Sequence, residues 1–128
     1  MSEKRILIID DEESFTELLK LNLEEEGNYK VMTVNRGSEG FAAAKKFKPD
    51  LILLDMLMPD ISGGEVMRKL KDDNKTKNIP VVFLTAIVNK SEVEKEDGII
   101  GGHHFLAKPA TTEELIDCIE KNINQESN

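Results

Sequence analysis

A long apolar run is missing from this 128-residue chain. A helix that crosses a bilayer needs roughly 20 consecutive apolar residues, and no stretch approaches that length. Met1-Ser2-Glu3-Lys4-Arg5 leads into only a few apolar residues without a cleavage pattern, so no signal peptide is expected and a cytoplasmic location follows. Positive charge is also scarce: 17 Lys and Arg face 25 Asp and Glu, for a net charge of −8. Nucleic-acid binding relies on basic patches that displace counterions from phosphates, so direct binding to DNA or RNA is not expected. The single cysteine, Cys118, cannot form an internal disulfide, and no Cys/His spacing suggests a zinc site. Cys118 falls in an apolar helical stripe and reads as a packed or half-exposed thiol.

What remains is ordinary globular material, 39% hydrophobic and 33% charged, at a length that fits one domain. Two hydrophobic periods alternate along it. Ile6-Leu7-Ile8-Ile9, Leu51-Ile52-Leu53-Leu54 and Val81-Val82-Phe83-Leu84 are wholly apolar, as strands buried on both faces must be. Val31-Met32-Thr33-Val34 and Phe105-Leu106 complete five predicted strands. Helical spacing links Phe15, Leu18, Leu19 and Leu23 before Gly27, and Phe41, Ala44 and Phe47 behind a Ser38 cap and before Pro49. Gly63 to Leu70 is a third helix with Val66, Met67 and Leu70 inward. Ser91 to Ile100 is the weakest helix, interrupted by Gly98 and dominated by charge. Thr111 or Thr112 caps the last helix, with Glu114 or Glu113 closing a capping box, and Leu115, Ile116, Ile119 and Ile123 forming its stripe. The polar tail, residues 125–128, is expected to fray.

Strict strand–helix alternation implies an α/β, doubly wound parallel sheet in one domain over residues 1–128. Ligands of such sheets bind beyond the carboxyl ends of the strands, where the winding reverses. The residues that follow the strands are Asp10 and Asp11, Asp55, Thr85, and Lys108-Pro109. Converging carboxylates repel one another unless a cation joins them, and an all-oxygen set suits magnesium. A lysine and a hydroxyl beside them suit a phosphoryl group. Each residue alone has an ordinary explanation, such as acids favouring a helix N-terminus or aspartate favouring loops, as at Asp60. Four such groups at four strand ends on one edge do not.

The motifs Ile8-Ile9-Asp10-Asp11-Glu12, Leu54-Asp55-Met56-Leu57-Met58-Pro59 with Gly63, Leu84-Thr85-Ala86 and Phe105-Leu106-Ala107-Lys108-Pro109, in this order and spacing, resemble response-regulator receiver domains of the CheY-like superfamily over nearly the whole chain. The resemblance implies a flavodoxin-like (βα)5 sheet with strand order 2-1-3-4-5. It implies that Asp55 accepts a phosphoryl group from a histidine kinase or phosphotransfer protein. It implies magnesium bound directly by Asp11, Asp55 and the Leu57 carbonyl, and by Asp10 mainly through water. Lys108 would pair with Asp55 and then with the phosphoryl group. Thr85 would donate its hydroxyl to that group, and Phe105 would report the movement. A cis bond is implied before Pro109. Such a domain is no enzyme beyond its own phosphorylation and dephosphorylation. Because no output domain follows, a stand-alone chain would signal through a protein partner, or through self-association, on the fourth helix, fifth strand and fifth helix.

Leu57 and Ile87, two positions after Asp55 and Thr85, are apolar and imply slow self-dephosphorylation. Gly98, Gly101 and Gly102 imply a loosely ordered fourth helix, and His103 and His104 read as loop or strand residues rather than ligands. Two other functions fit the fold. A magnesium-dependent phosphatase with an aspartyl nucleophile would carry Asp-x-Asp after its first strand, where this chain has Asp10-Asp11-Glu12. A constitutive interaction domain would not need Asp10, Asp11, Asp55, Thr85 and Lys108 together. A flavodoxin-like cofactor protein shares only the fold.

Overall fold

The computed structural model of the chain describes residues 3–126. Strands β1 (Lys4–Ile9), β2 (Tyr29–Val34), β3 (Leu51–Leu54) and β4 (Val81–Thr85) alternate with helices α1 (Glu13–Glu25), α2 (Gly40–Phe47), α3 (Gly63–Lys71) and α4 (Lys90–Lys95). Two further strands, β5 (Ile99–Ile100) and β6 (His103–Ala107), precede α5 (Thr112–Glu126). The sheet order is β2-β1-β3-β4-β6-β5, and the first five strands in that order run parallel.

The wholly apolar runs form the central strands because each strand serves two cores. Leu7, Ile9, Ile52, Leu54 and Phe83 point into the layer beneath α2 and α3. Ile6, Ile8, Leu53 and Leu84 point into the layer beneath α1 and α5, where Leu115 and Ile119 are fully buried. A period of two in a strand makes this division. Burial of each such side chain contributes about 1.5–3 kcal/mol, so strands apolar on both faces carry most of the driving force.

Five parallel strands in the expected order are present, with β6 as the fifth, but the sheet has a sixth member. Ile99 and Ile100 pair antiparallel with His104 and His103. Helix α4 stops at Lys95, and Asp97 and Gly98 follow in left-handed conformation (φ 56° and 81°). Gly101 and Gly102, at φ 59° and 83°, supply the two positive φ angles of a type I′ hairpin turn. The predicted helix over Ser91 to Ile100 is therefore one short helix and one edge strand.

Two details of the helices also differ from expectation. On α1 the buried positions are Thr16, Leu19 and Leu23, while Leu18 is 55% exposed. Ser38 does not cap α2 with its side chain; it lies within a 3-10 turn, Gly37–Glu39, that leads into the helix. The last helix is capped as expected: Thr111 Oγ1 accepts from Glu114 N at 3.0 Å, and Glu114 Oε1 accepts from Thr111 N at 2.9 Å. Helix α5 includes Gln125 and Glu126 of the tail expected to fray, and Ser127 and Asn128 lie outside the described residues.

Candidate functional site

The sheet's hydrogen bonding continues one residue past the strands and so positions the chemistry. Asp10 N donates to Val34 O at 3.1 Å, Asp55 N to Ile9 O at 3.0 Å, and Lys108 N to Thr85 O at 3.0 Å. Asp10 and Asp55 are thereby held side by side at the ends of β1 and β3, and Lys108 is held beside the end of β4. The Lys108–Pro109 peptide bond is cis.

The Lys108 ammonium is the hub. It lies 2.7 Å from Asp10 Oδ2, 2.9 Å from Glu12 Oε1 and 3.3 Å from Asp55 Oδ2. The Phe15 ring centroid is 4.4 Å away, a cation–π distance. Burial acts to lower the Lys108 pKa, but the close Asp10 carboxylate, the bond to Glu12 and the charge of Asp55 outweigh it and hold the ammonium above the ordinary lysine range. Burial raises the Asp10 carboxyl above its usual range, opposed by Lys108 and by the Glu12 N–H, which donates to Asp10 Oδ1 at 2.9 Å.

One oxygen at this hub has nothing to accept. Asp10 Oδ2 is buried and within ion-pairing distance of Lys108, yet no donor meets it at a hydrogen-bond angle. Asp10, Asp11 and Asp55 each place a carboxylate oxygen within 4.8 Å of the others. A buried anionic oxygen without a donor, inside a set of hard oxygen ligands, fits a divalent cation such as magnesium. These residues could hold a metal ion.

The remaining candidates surround the hub. Thr85 is fully buried, and its Oγ1 accepts from Ile87 N at 3.4 Å. Leu57 N donates to Asp55 Oδ1 at 3.3 Å, which brings the Leu57 backbone to the acidic cluster while its side chain stays exposed. Phe105 is buried against Phe83, with ring centroids 5.1 Å apart. Asp10, Asp11, Asp55, Thr85 and Lys108 thus meet at one sheet edge, with Leu57 in the loop after β3 and Phe105 within β6, in register with Phe83.

Three residues at or beside this site were not singled out for it. In the sequence, Glu12 is one acid of a motif that precedes a helix, Phe15 is a member of an apolar stripe, and Asp60 is a loop aspartate. Asp60 in fact accepts from Gly37 N at 3.2 Å and Ser38 N at 2.9 Å, joining the loop after β3 to the turn before α2. The only signal in the sequence is that Asp60 directly follows the motif Leu54 to Pro59.

The sequence matches the response regulator receiver domain family over residues 6–120. Among curated proteins it is 38% identical to the DNA-binding dual master transcriptional regulator RpaA of Synechocystis sp., over 88% of this chain and 46% of RpaA. It is 33% identical to the polar-differentiation response regulator DivK of Brucella anthropi, over 91% of this chain and 94% of DivK. The chain spans about half the length of most of the transcriptional regulators it resembles. Among solved structures, a CheY-like response regulator receiver domain from Methanospirillum hungatei superposes with a TM-score of 0.81 at 26% identity, covering 98% of both chains.

Proposed function

The chain belongs to the response regulator receiver domain family, and we propose that it is a single receiver domain over residues 1–128 that takes a phosphoryl group on Asp55. Receiver domains serve phosphorylation-based signalling in two-component systems. They are generally signalling modules rather than enzymes. The observation that carries the assignment to Asp55 is the meeting of Asp55, Asp10 and Lys108 at the reversal of the sheet, with Lys108 Nζ 3.3 Å from Asp55 Oδ2.

The chemistry follows from these groups. An Asp55 carboxylate oxygen attacks the phosphorus of a phosphohistidine on a kinase or phosphotransfer protein. The oxygen–phosphorus bond forms as the phosphorus–nitrogen bond breaks, and the departing imidazole nitrogen takes a proton from water. Asp10, Asp11, Asp55 and the Leu57 carbonyl would hold magnesium, which when bound offsets the negative charge of donor and acceptor. Lys108 is already charged and lies 3.3 Å from Asp55 Oδ2, within reach of a phosphoryl oxygen placed there. Thr85 gives up its bond from Ile87 N and donates to the phosphoryl group, and that new bond is the differential interaction a two-state switch needs. Phe105, on the neighbouring strand and packed against Phe83 of β4, would register the movement.

The loop after β4 would carry the change to α4, β6 and α5, where a downstream protein or a second copy docks. An acidic chain with no helix long and apolar enough to cross a membrane, among the described residues, suits a cytoplasmic signalling role. The test is intact mass spectrometry after incubation with a small acyl phosphate and magnesium. The wild type gains one acid-labile phosphoryl group and Asp55→Asn gains none; an equal yield in that variant would overturn the assignment. Hydrogen exchange with and without the phosphoryl group should differ across Ser91 to Ile119, and identical protection there would count against the proposed face.

A further inference from the structure

Glu12 stands at the N-cap of α1 in an extended conformation (φ −83°, ψ 96°), and its side chain makes no capping bond. Short polar side chains at this position satisfy the free N–H groups of the first turn. The carboxylate of Glu12 instead reaches Lys108, 96 positions away, at 2.9 Å. Phe15, in the first turn of the same helix, lies under the same ammonium at 4.4 Å. The start of α1 therefore builds a resting place for Lys108.

Three carboxylates face that ammonium, and they differ in how easily they can leave it. The side chain of Asp10 is 2% exposed and that of Asp55 is 7% exposed, whereas that of Glu12 is 60% exposed. The Glu12 N–H fixes Asp10, and the Leu57 N–H fixes Asp55. Lys108 donates to Glu12 at 2.9 Å and to Asp55 at 3.3 Å, and pairs with Asp10 by charge at 2.7 Å, so Glu12 holds the shorter of its two hydrogen bonds. A phosphoryl group arriving on Asp55 needs one of the ammonium's N–H donors and repels any carboxylate beside it. Water can take back Glu12 at small cost, and cannot do so for Asp10 or Asp55.

We propose that Glu12 is a positioning residue that competes with the phosphoryl group for Lys108: it holds the ammonium in the resting state and swings to solvent when Asp55 is phosphorylated. This rests on the assignment of Asp55 as the phosphoryl acceptor. Its consequence is that the native glutamate weakens the phosphorylated state. An ion pair with one exposed partner supports an effect of about two- to fivefold.

Beryllofluoride with saturating magnesium serves as the phosphoryl probe, followed by titration calorimetry on wild type, Glu12→Gln and Glu13→Gln. Glu12→Gln should bind beryllofluoride about two- to fivefold more tightly than wild type, and added salt should narrow the gap by screening the pair. Glu13→Gln makes the same charge change one residue on and should bind as wild type does. Without magnesium or beryllofluoride, nuclear magnetic resonance of the Lys108 ammonium should show Nζ shifted and its protons exchanging faster in Glu12→Gln. Equal or weaker beryllofluoride binding by Glu12→Gln, equal tightening by Glu13→Gln, or unchanged Lys108 resonances would each overturn the proposal. Failure of wild type to bind beryllofluoride at all would instead remove the Asp55 assignment beneath it.

Discussion

Asp60 Oδ2 accepts a 2.9 Å hydrogen bond from the backbone N–H of Ser38, 22 positions earlier in the chain. Its other oxygen accepts from Gly37 N, so one aspartate ties the loop after β3 to the turn before α2. That loop begins at Asp55 and includes Leu57, so its placement is part of the site. The Ser38 N–H, followed by the other donors around it, holds the Asp60 carboxyl down at about 2, from an ordinary 3.8.

A carboxyl whose pKa is depressed on folding stabilises the protein above its unfolded pKa and loses that contribution as the pH falls through the folded value. Asp60→Ala should therefore unfold at lower urea than wild type at neutral pH. The gap should narrow between the unfolded value of 3.8 and the folded value of about 2. Urea midpoints measured across that interval check this, and a gap that stays constant with pH would assign the loss to something other than the carboxylate.

Glycine at position 63 is required by contact rather than by conformation. A Cβ there would lie 2.2 Å from the Asp55 carbonyl oxygen and 2.8 Å from Met56 Cα, both backbone atoms that cannot turn aside. At Gly64 the nearest atom is Ser62 Oγ, 3.8 Å away. Gly63→Ala should cost about 1–3 kcal/mol, as overpacking does, and should lower phosphorylation by displacing Asp55. Gly64→Ala should be neutral or should stabilise α3 by about 0.5–1 kcal/mol. Urea denaturation of the two variants side by side distinguishes these outcomes.

Much of this was legible before any coordinates. Wholly apolar runs of strand length can be satisfied only between two layers, so Ile6 to Ile9 and Leu51 to Leu54 identify the central strands and place the next residues, Asp10 and Asp55, at one edge. The edge strand Ile99–Ile100 was not legible, because two residues carry no period and the pairing depends on the turn at Gly101 and Gly102. Leu18 matched the helical spacing but faces water, since a spacing rule admits neighbouring stripes and only the sheet's position selects Thr16, Leu19 and Leu23. Glu12 and Asp60 were missed for a shared reason: their partners, Lys108 and Ser38, are distant in sequence, and an acid in a loop or before a helix already has an ordinary explanation.

The acidic cluster makes a direct prediction for magnesium. Few neutral ligands and several carboxylates should bind the ion weakly, with water completing its coordination. Asp11→Asn removes a carboxylate of the cluster without touching the Lys108 contacts. Titration calorimetry should show magnesium affinity falling by at least about tenfold, the lower end of the losses seen when even an outer-shell partner is removed. Retained affinity would place the ion elsewhere.

Leu57 and Ile87 decide how long the phosphoryl group should last. Leu57 N is bonded to Asp55 Oδ1 and Ile87 N to Thr85 Oγ1, so the backbone anchors both residues to the reacting groups. Their side chains nevertheless remain open to solvent, at 62% and 49% exposure. They therefore stand at the mouth of the site. Hydrolysis of the acyl phosphate needs a water aligned opposite the Asp55 oxygen, and alignment of this kind is a large part of phosphoryl-transfer rates. Neither side chain can hydrogen-bond that water, and both should flank its approach. Polar groups in these places should accelerate decay about ten- to a hundredfold, the lower part of the range for positioned proton-transfer groups. Phosphorylated wild type followed beside Leu57→Asn with Ile87→Glu should be the slower to lose its phosphoryl group. A double variant that decays no faster would mean that groups other than these two side chains set the lifetime, with Lys108 the first to test.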